Sequence, residues 1–190
     1  MVRHRDVMSW LALVCLLLGS ASALSGAETQ VPVTFSGGHE IGAGDFGRPV
    51  TLIAAALKVK PEVFREAFSG VTPAKGRGPT GGEARKNKEA LLKVLAPHGV
   101  TNERLDEVSD YYRYQPQRGE LWPTTEAKGY AVIVDGKIQK VVVTQGGSGY
   151  SSQPSVKVKG FEKETFRVTL KQSTDFKQNG SVAEIVRSEK

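Results

Sequence analysis

The stretch GYAVIVDGKIQKVVVTQGGSGYSSQPSVKVK, residues 129–159, carries the strongest local fold signal in the chain. Two β-rich runs flank Asp135-Gly136, a dipeptide that accepts the positive φ angles of a type I′ turn, so they read as a hairpin. Gly146-Gly147-Ser148-Gly149-Tyr150 turns the chain again. Pro154 then fixes the approach to a strand in which Val156 and Val158 alternate with Lys157 and Lys159. Further on, Phe166, Val168 and Leu170 alternate with Thr165, Arg167, Thr169 and Lys171, the pattern of a half-buried strand. Asn179-Gly180 turns into a last strand over 181–187. Four or five antiparallel strands follow from this reading, meander-like, one face wet and the other against helices.

The helices precede the sheet. Pro49 suits a first helical position, and Leu52, Ile53, Ala56 and Leu57 make one apolar stripe. A second helix opens at Pro61-Glu62, with Val63, Phe64, Ala67 and Phe68 inward, and stops near Gly70. Residues 71–82, VTPAKGRGPTGG, read as an exposed loop. A third helix over 82–96 turns Ala84, Leu91, Leu92 and Leu95 inward. A fourth, from about Thr101 to Tyr112, takes Thr101 or Asn102 as N-cap and buries Leu105, Val108 and Tyr112. Residues 52–64 and 91–105 each give helix, turn and helix, so the region holds two helix-turn-helix-like hairpins. A DNA-binding role is one use of such a hairpin, but it is also a generic packing unit and carries no function by itself.

The expected fold class is therefore α+β: about four helices followed by a four- or five-stranded antiparallel sheet. The expected divisions are a signal peptide over 1–23, a flexible Gly-rich lead-in over 24–48, a helical region over 49–115 and a β region over 129–190 packed with the helices. Within the lead-in, Val31, Val33 and Phe35 alternate like an edge strand.

Residues 1–23 have the form of an export signal. Arg3 and Arg5 make a basic n-region, the apolar run over 7–18 is short for a membrane span, and Ala21-Ser22-Ala23 is a small-residue cleavage site. The expected address is secreted or periplasmic, with no integral membrane segment after cleavage. Cleavage removes Cys15, the one cysteine, which excludes thiol catalysis and zinc sites built on sulfur. It also takes away two basic residues and one acidic one, leaving 24 basic and 19 acidic residues, a net charge of +5. That surplus favours a polyanion or an envelope polysaccharide, while export argues against nucleic acid.

No nucleophile elbow, phosphate loop or S-x-x-K motif with a suitable context appears. Two function classes remain. The first is a non-enzymatic binding or scaffold module for an envelope polymer or protein partner, using Lys157, Lys159, Arg167 and Lys171 on the sheet, with Tyr111, Tyr114, Trp122 and Tyr150 as aromatic contacts. The second is a metal-dependent hydrolase whose ligands would be His39, Glu40 and Asp45, amid glycines that let backbone approach closely. No organic cofactor is expected. Glu103, Asp106, Glu107 and Asp110 share one helix face, which reads as a cation or partner site or, more blandly, as a solvated face.

The run Val141-Val142-Val143-Thr144, followed by Gly147-Ser148-Gly149-Tyr150-Ser151-Ser152 and Pro154-Ser155-Val156, resembles a β-turn-β segment that recurs in bacterial extracellular and phage structural modules. The wider pattern resembles an uncharacterised family of exported bacterial proteins. It runs through Gly38-His39-Glu40, Gly47-Arg48-Pro49-Val50, Val63-Phe64-Arg65, Leu105-Asp106-Glu107-Val108 and Glu120-Leu121-Trp122. That resemblance implies export and no particular reaction.

Overall fold

A computed structural model describes residues 27–72, 79–114 and 118–188. The signal-like segment over 1–23, part of the loop over 71–82 and the Pro116 turn lie outside the described residues. Strand β1 (Thr29–Ser36) comes first, and a short 3₁₀ turn (Ala43–Asp45) leads to helices α1 (Val50–Ala56), α2 (Pro61–Ser69), α3 (Gly81–Leu95) and α4 (Asn102–Tyr111). Strands β2 (Lys128–Val134), β3 (Lys137–Gln145), β4 (Ser155–Val158), β5 (Phe166–Lys171) and β6 (Ser181–Arg187) follow. The fold is α+β. None of the described helices is long and apolar enough to cross a membrane.

Local chemistry explains the elements. The β2–β3 turn places Asp135 at φ 50° and Gly136 at φ 70°, the pair of positive angles that the dipeptide was expected to supply. Thr80 caps α3 with a complete capping box, its hydroxyl accepting from Glu83 N while the Glu83 carboxylate accepts from Thr80 N. Thr101 accepts from Arg104 N at the start of α4. Leu105, Val108 and Tyr112 are buried as the spacing predicts, whereas Ala84 is exposed and Leu91 and Leu92 are only half buried.

Strand β1 is not an edge strand, and the described part of the expected lead-in, residues 27–48, is not loose. Its first half pairs with β2, Thr29 to Pro32 opposite Ile133 to Tyr130, and its second half pairs with β4, Val33 to Ser36 opposite Val158 to Ser155. Pro32, which has no amide donor, ends the β2 register, so the change of partner falls where a ladder bond is missing anyway. The sheet order is β3-β2-β1-β4, a four-stranded antiparallel sheet as expected, and β5-β6 forms a separate pair among the described residues, so the order is not a simple meander.

The two sheets share one apolar interior. Strand β6 lies against β3, with Val182 N donating to Gly146 O at 2.8 Å, and β5 lies against β4. Phe35, Val156, Val168, Val182 and Ile185 form one part of that interior and Ala131, Ile133, Ile138 and Val158 another, joined through half-buried Val33, Val141 and Phe166. The sheet thus curls onto its own side chains rather than offering a flat face to the helices.

The helices carry a second core of Leu52, Ile53, Phe64, Ala67, Leu95, Leu105, Val108, Tyr112 and Trp122. Fully burying one such leucine contributes about 1.5–3 kcal/mol relative to exposure. The two cores meet at turns. Asn179, wholly buried, donates to Leu52 O and to the Tyr112 hydroxyl, each at 2.8 Å, and accepts from Ser173 N at 3.1 Å. Gly180 beside it has φ 66°, and a Cβ there would sit 2.6 Å from Leu52 Cδ2, so the joint requires glycine.

Candidate functional site

The polar loop between β1 and α1 occupies the joint. At Gly38, φ is 85° and a Cβ would lie 2.6 Å from Tyr150 Cδ1, so only glycine lets the loop seat on that ring. Glu40 N then donates to Ser152 Oγ at 3.2 Å, Ser152 Oγ donates to the Glu40 carboxylate, and Ser151 Oγ donates to Glu40 O at 2.9 Å. Hydrogen bonds to the Glu40 carboxylate, from the Ser152 hydroxyl first and then from the Glu40 and Gly38 backbone amides, hold it below its usual range.

His39 turns the other way. Its ring stacks on Tyr150 with centroids 5.2 Å apart and meets Trp122 edge-on at 6.1 Å. His39 Nε2 is buried without a hydrogen-bond partner, and burial holds the imidazole below its ordinary pKa despite Glu40 nearby. Asp45 is drawn to α2, where Arg65 Nε and Nη2 meet its two carboxylate oxygens at 2.7 and 3.2 Å. The expected metal triad is therefore not assembled: His39 faces aromatic rings, Glu40 is bound to Ser152, and Asp45 forms a bidentate pair with Arg65. Among the described residues no group of three or more His, Cys, Asp or Glu side chains is placed to hold a metal ion.

The aromatic crossing is glue rather than a ligand platform. Trp122 and Tyr150 are buried, with Trp122 Nε1 donating to Gly149 O at 2.8 Å and the Tyr150 hydroxyl accepting from Ala127 N at 3.0 Å. Tyr111 is stacked on Phe176 at 4.1 Å, and Tyr114 packs edge-on against Trp122 while its hydroxyl donates to Gly47 O. Trp122 and Tyr150, so enclosed, offer no open face to a sugar, while Tyr111 and Tyr114 remain half buried. Three of the four acids on the α4 face are paired: Asp106 with Lys88 at 2.7 Å, Glu107 with Arg104 at 2.6 Å and Asp110 with Arg113 at 2.8 Å.

The basic residues of the sheet are arranged differently. Lys157 on β4 and Arg167 and Lys171 on β5 all point outward and are exposed, and Lys159 is exposed just past β4. Their cross-strand partners are Thr34, Val186 and Ser181, none of them acidic. Lys171 Nζ donates to Gln178 Oε1 at 2.9 Å, and the other three have no hydrogen bond or ion pair among the described residues. Glu164, at the end of the turn that precedes β5, is already held by Arg187 through two bonds of 2.6 and 2.8 Å.

Sequence reasoning missed one further feature. Phe46 is 81% exposed and left-handed, at φ 49° and ψ 45°, and beside it Arg48 lays its guanidinium 3.7 Å from the Phe68 ring centroid. The glycines at 44 and 47 hinted at an unusual loop conformation, but no spacing rule brings Phe68 of α2 to Arg48.

Fold and geometry together define a small α+β protein with a docked polar loop, a buried aromatic joint and an exposed basic strand surface. The chain matches no family model, no curated protein and no solved structure.

Proposed function

We propose that this protein is an exported, non-enzymatic binding module whose basic β4–β5 surface holds an anionic polysaccharide of the cell envelope. The observation that carries this reading is the register: Lys157, Arg167 and Lys171 stand directly opposite Thr34, Val186 and Ser181, and Glu184, the one acid in these strand pairings, stands opposite Thr169 rather than opposite a cation. Opposite charges across a sheet face are mutually stabilising, and a surface that forgoes them keeps its field for something outside. Export is supported by the form of residues 1–23. The outward cations are exposed and spaced along two strands, which suits a repeating polyanion more than a single compact anion.

The test is retention of residues 24–190 on an immobilised anionic polysaccharide under a salt gradient, compared with a variant carrying K157E, K159E, R167E and K171E. Screening by salt implies earlier elution as ionic strength rises. The variant is expected to lose at least about tenfold in affinity while keeping its unfolding midpoint. Equal retention of the two proteins refutes the assignment.

A further inference from the structure

Among the described residues outside the basic strands, Arg48 is a cation that is half enclosed and lacks an acid. Arg48 is half buried, its guanidinium rests on Phe68, and Nη1 donates to Phe46 O at 3.0 Å. Among the described residues no carboxylate meets it, since Asp45 nearby is held by Arg65. Burial lowers the Arg48 pKa, so the site pays for a cation it does not neutralise. Two concavities adjoin this group. One, about 540 Å³, is lined by Phe46, Val50, Phe68 and Val71, with the Asp45–Arg65 pair and Ser69 at its polar side; the second, about 440 Å³, is lined by Ile53, Phe64, Leu91 and Tyr114. Phe46, Arg48 and Phe68 are common to both.

We propose that this groove binds a small apolar carboxylate, with the acid paired to Arg48 and the hydrocarbon lying along Phe46, Phe68, Val50 and Val71. Charge complementarity selects the acid: a planar guanidinium with unused donors accepts a carboxylate in a two-pronged pair. The apolar lining selects the tail, and the volume lies in the range of small-molecule sites. Phe46 fits the same account. An aromatic side chain held in the left-handed region and left in water is a costly placement, and an apolar ligand would cover it. This site is separate from the β4–β5 surface and does not depend on it.

The experiment is calorimetric titration of residues 24–190 with sodium decanoate, decanol and a short peptide ending in a free C-terminal leucine, using the native protein, R48Q and F46G. Decanoate is expected to bind the native protein and to weaken about tenfold to a hundredfold in R48Q, the loss of one charged hydrogen-bonded pair. Decanol is expected to bind more weakly and to be indifferent to R48Q. Arg48 packs on Phe68, so R48Q is checked for folding; F46G suits the positive φ and carries the test if R48Q is unstable, with weakened binding of decanoate expected. No decanoate binding, equal binding of decanoate and decanol, unchanged affinity in folded variants, or binding of the peptide alone overturns the proposal.

Discussion

Asn179 donates a 2.8 Å hydrogen bond to the hydroxyl of Tyr112, 67 residues earlier in the chain, and so fastens the last turn of the sheet to the end of α4. The same amide group reaches Leu52 O in α1, so one buried side chain serves two helices and, through its carbonyl, the Ser173 amide. A satisfied buried amide of this kind is costly to remove because its partners are left dry and unpaired. Asn179→Ala is expected to lower the unfolding free energy by about 2–4 kcal/mol, read from the shift in urea midpoint. Loss below about 0.5 kcal/mol would show that the joint is not a structural fastening.

Tyr112 gives this joint an alkaline limit. Burial pushes its pKa up to about 12, so the folded state keeps the phenol proton where the unfolded chain, near 10, releases it. The stabilisation is complete below pH 10 and is lost as pH climbs from 10 towards 12, by roughly 2–3 kcal/mol. Tyr112→Phe should flatten stability across that window, while costing about 1–2 kcal/mol at pH 7 for the unpaired Asn179 donor. An unaltered alkaline slope in the variant contradicts this.

His39 works at the opposite limit. Its folded pKa lies below the unfolded value of 6.5, so the stability it contributes is whole above that pH and declines as pH falls below it, when the unfolded chain takes up the proton first. His39→Phe, which keeps a ring against Tyr150, should lessen the loss of stability between pH 6.5 and the pH at which Glu40 begins to protonate. Urea titrations at several pH values measure it, and parallel curves for both proteins count against the assignment.

Gly180→Ala tests the backbone side of the joint. The added methyl meets Leu52 Cδ2 at 2.6 Å in a left-handed conformation that alanine disfavours. A loss of at least about 2 kcal/mol is expected by thermal unfolding; a neutral change would mean that the turn can shift at little cost.

The elements were legible because their signals are local. Asp135-Gly136 dictates a turn, Thr80 and Thr101 cap helices that follow directly, and Val156 and Val158 alternate with lysines on one strand. What was not legible depends on distant partners. Val31, Val33 and Phe35 show the period of a strand but not that β4, more than a hundred residues later, would pair beside them and make β1 interior. Asn179-Gly180 could be read as a turn, yet nothing adjacent reveals that the amide would be buried against Leu52 and Tyr112. His39, Glu40 and Asp45 lie close in sequence, but Tyr150, Ser152 and Arg65 each claim one of them, and so proximity along the chain did not become a shared site. The lysines of β4 and β5 were correctly placed outward by alternation, while the fact that none of them faces an acid directly across the ladder is a property of register.

The central claim, that the β4–β5 surface is the ligand-binding face, is tested most directly by titrating a short heparin oligosaccharide into isotopically labelled protein and following backbone amide shifts by NMR. The account predicts salt-sensitive shifts concentrated on Lys157, Lys159, Arg167, Lys171 and their neighbours, with the Phe46 loop and the Asn179 joint unmoved. Shifts centred elsewhere, or none at low salt, contradict it.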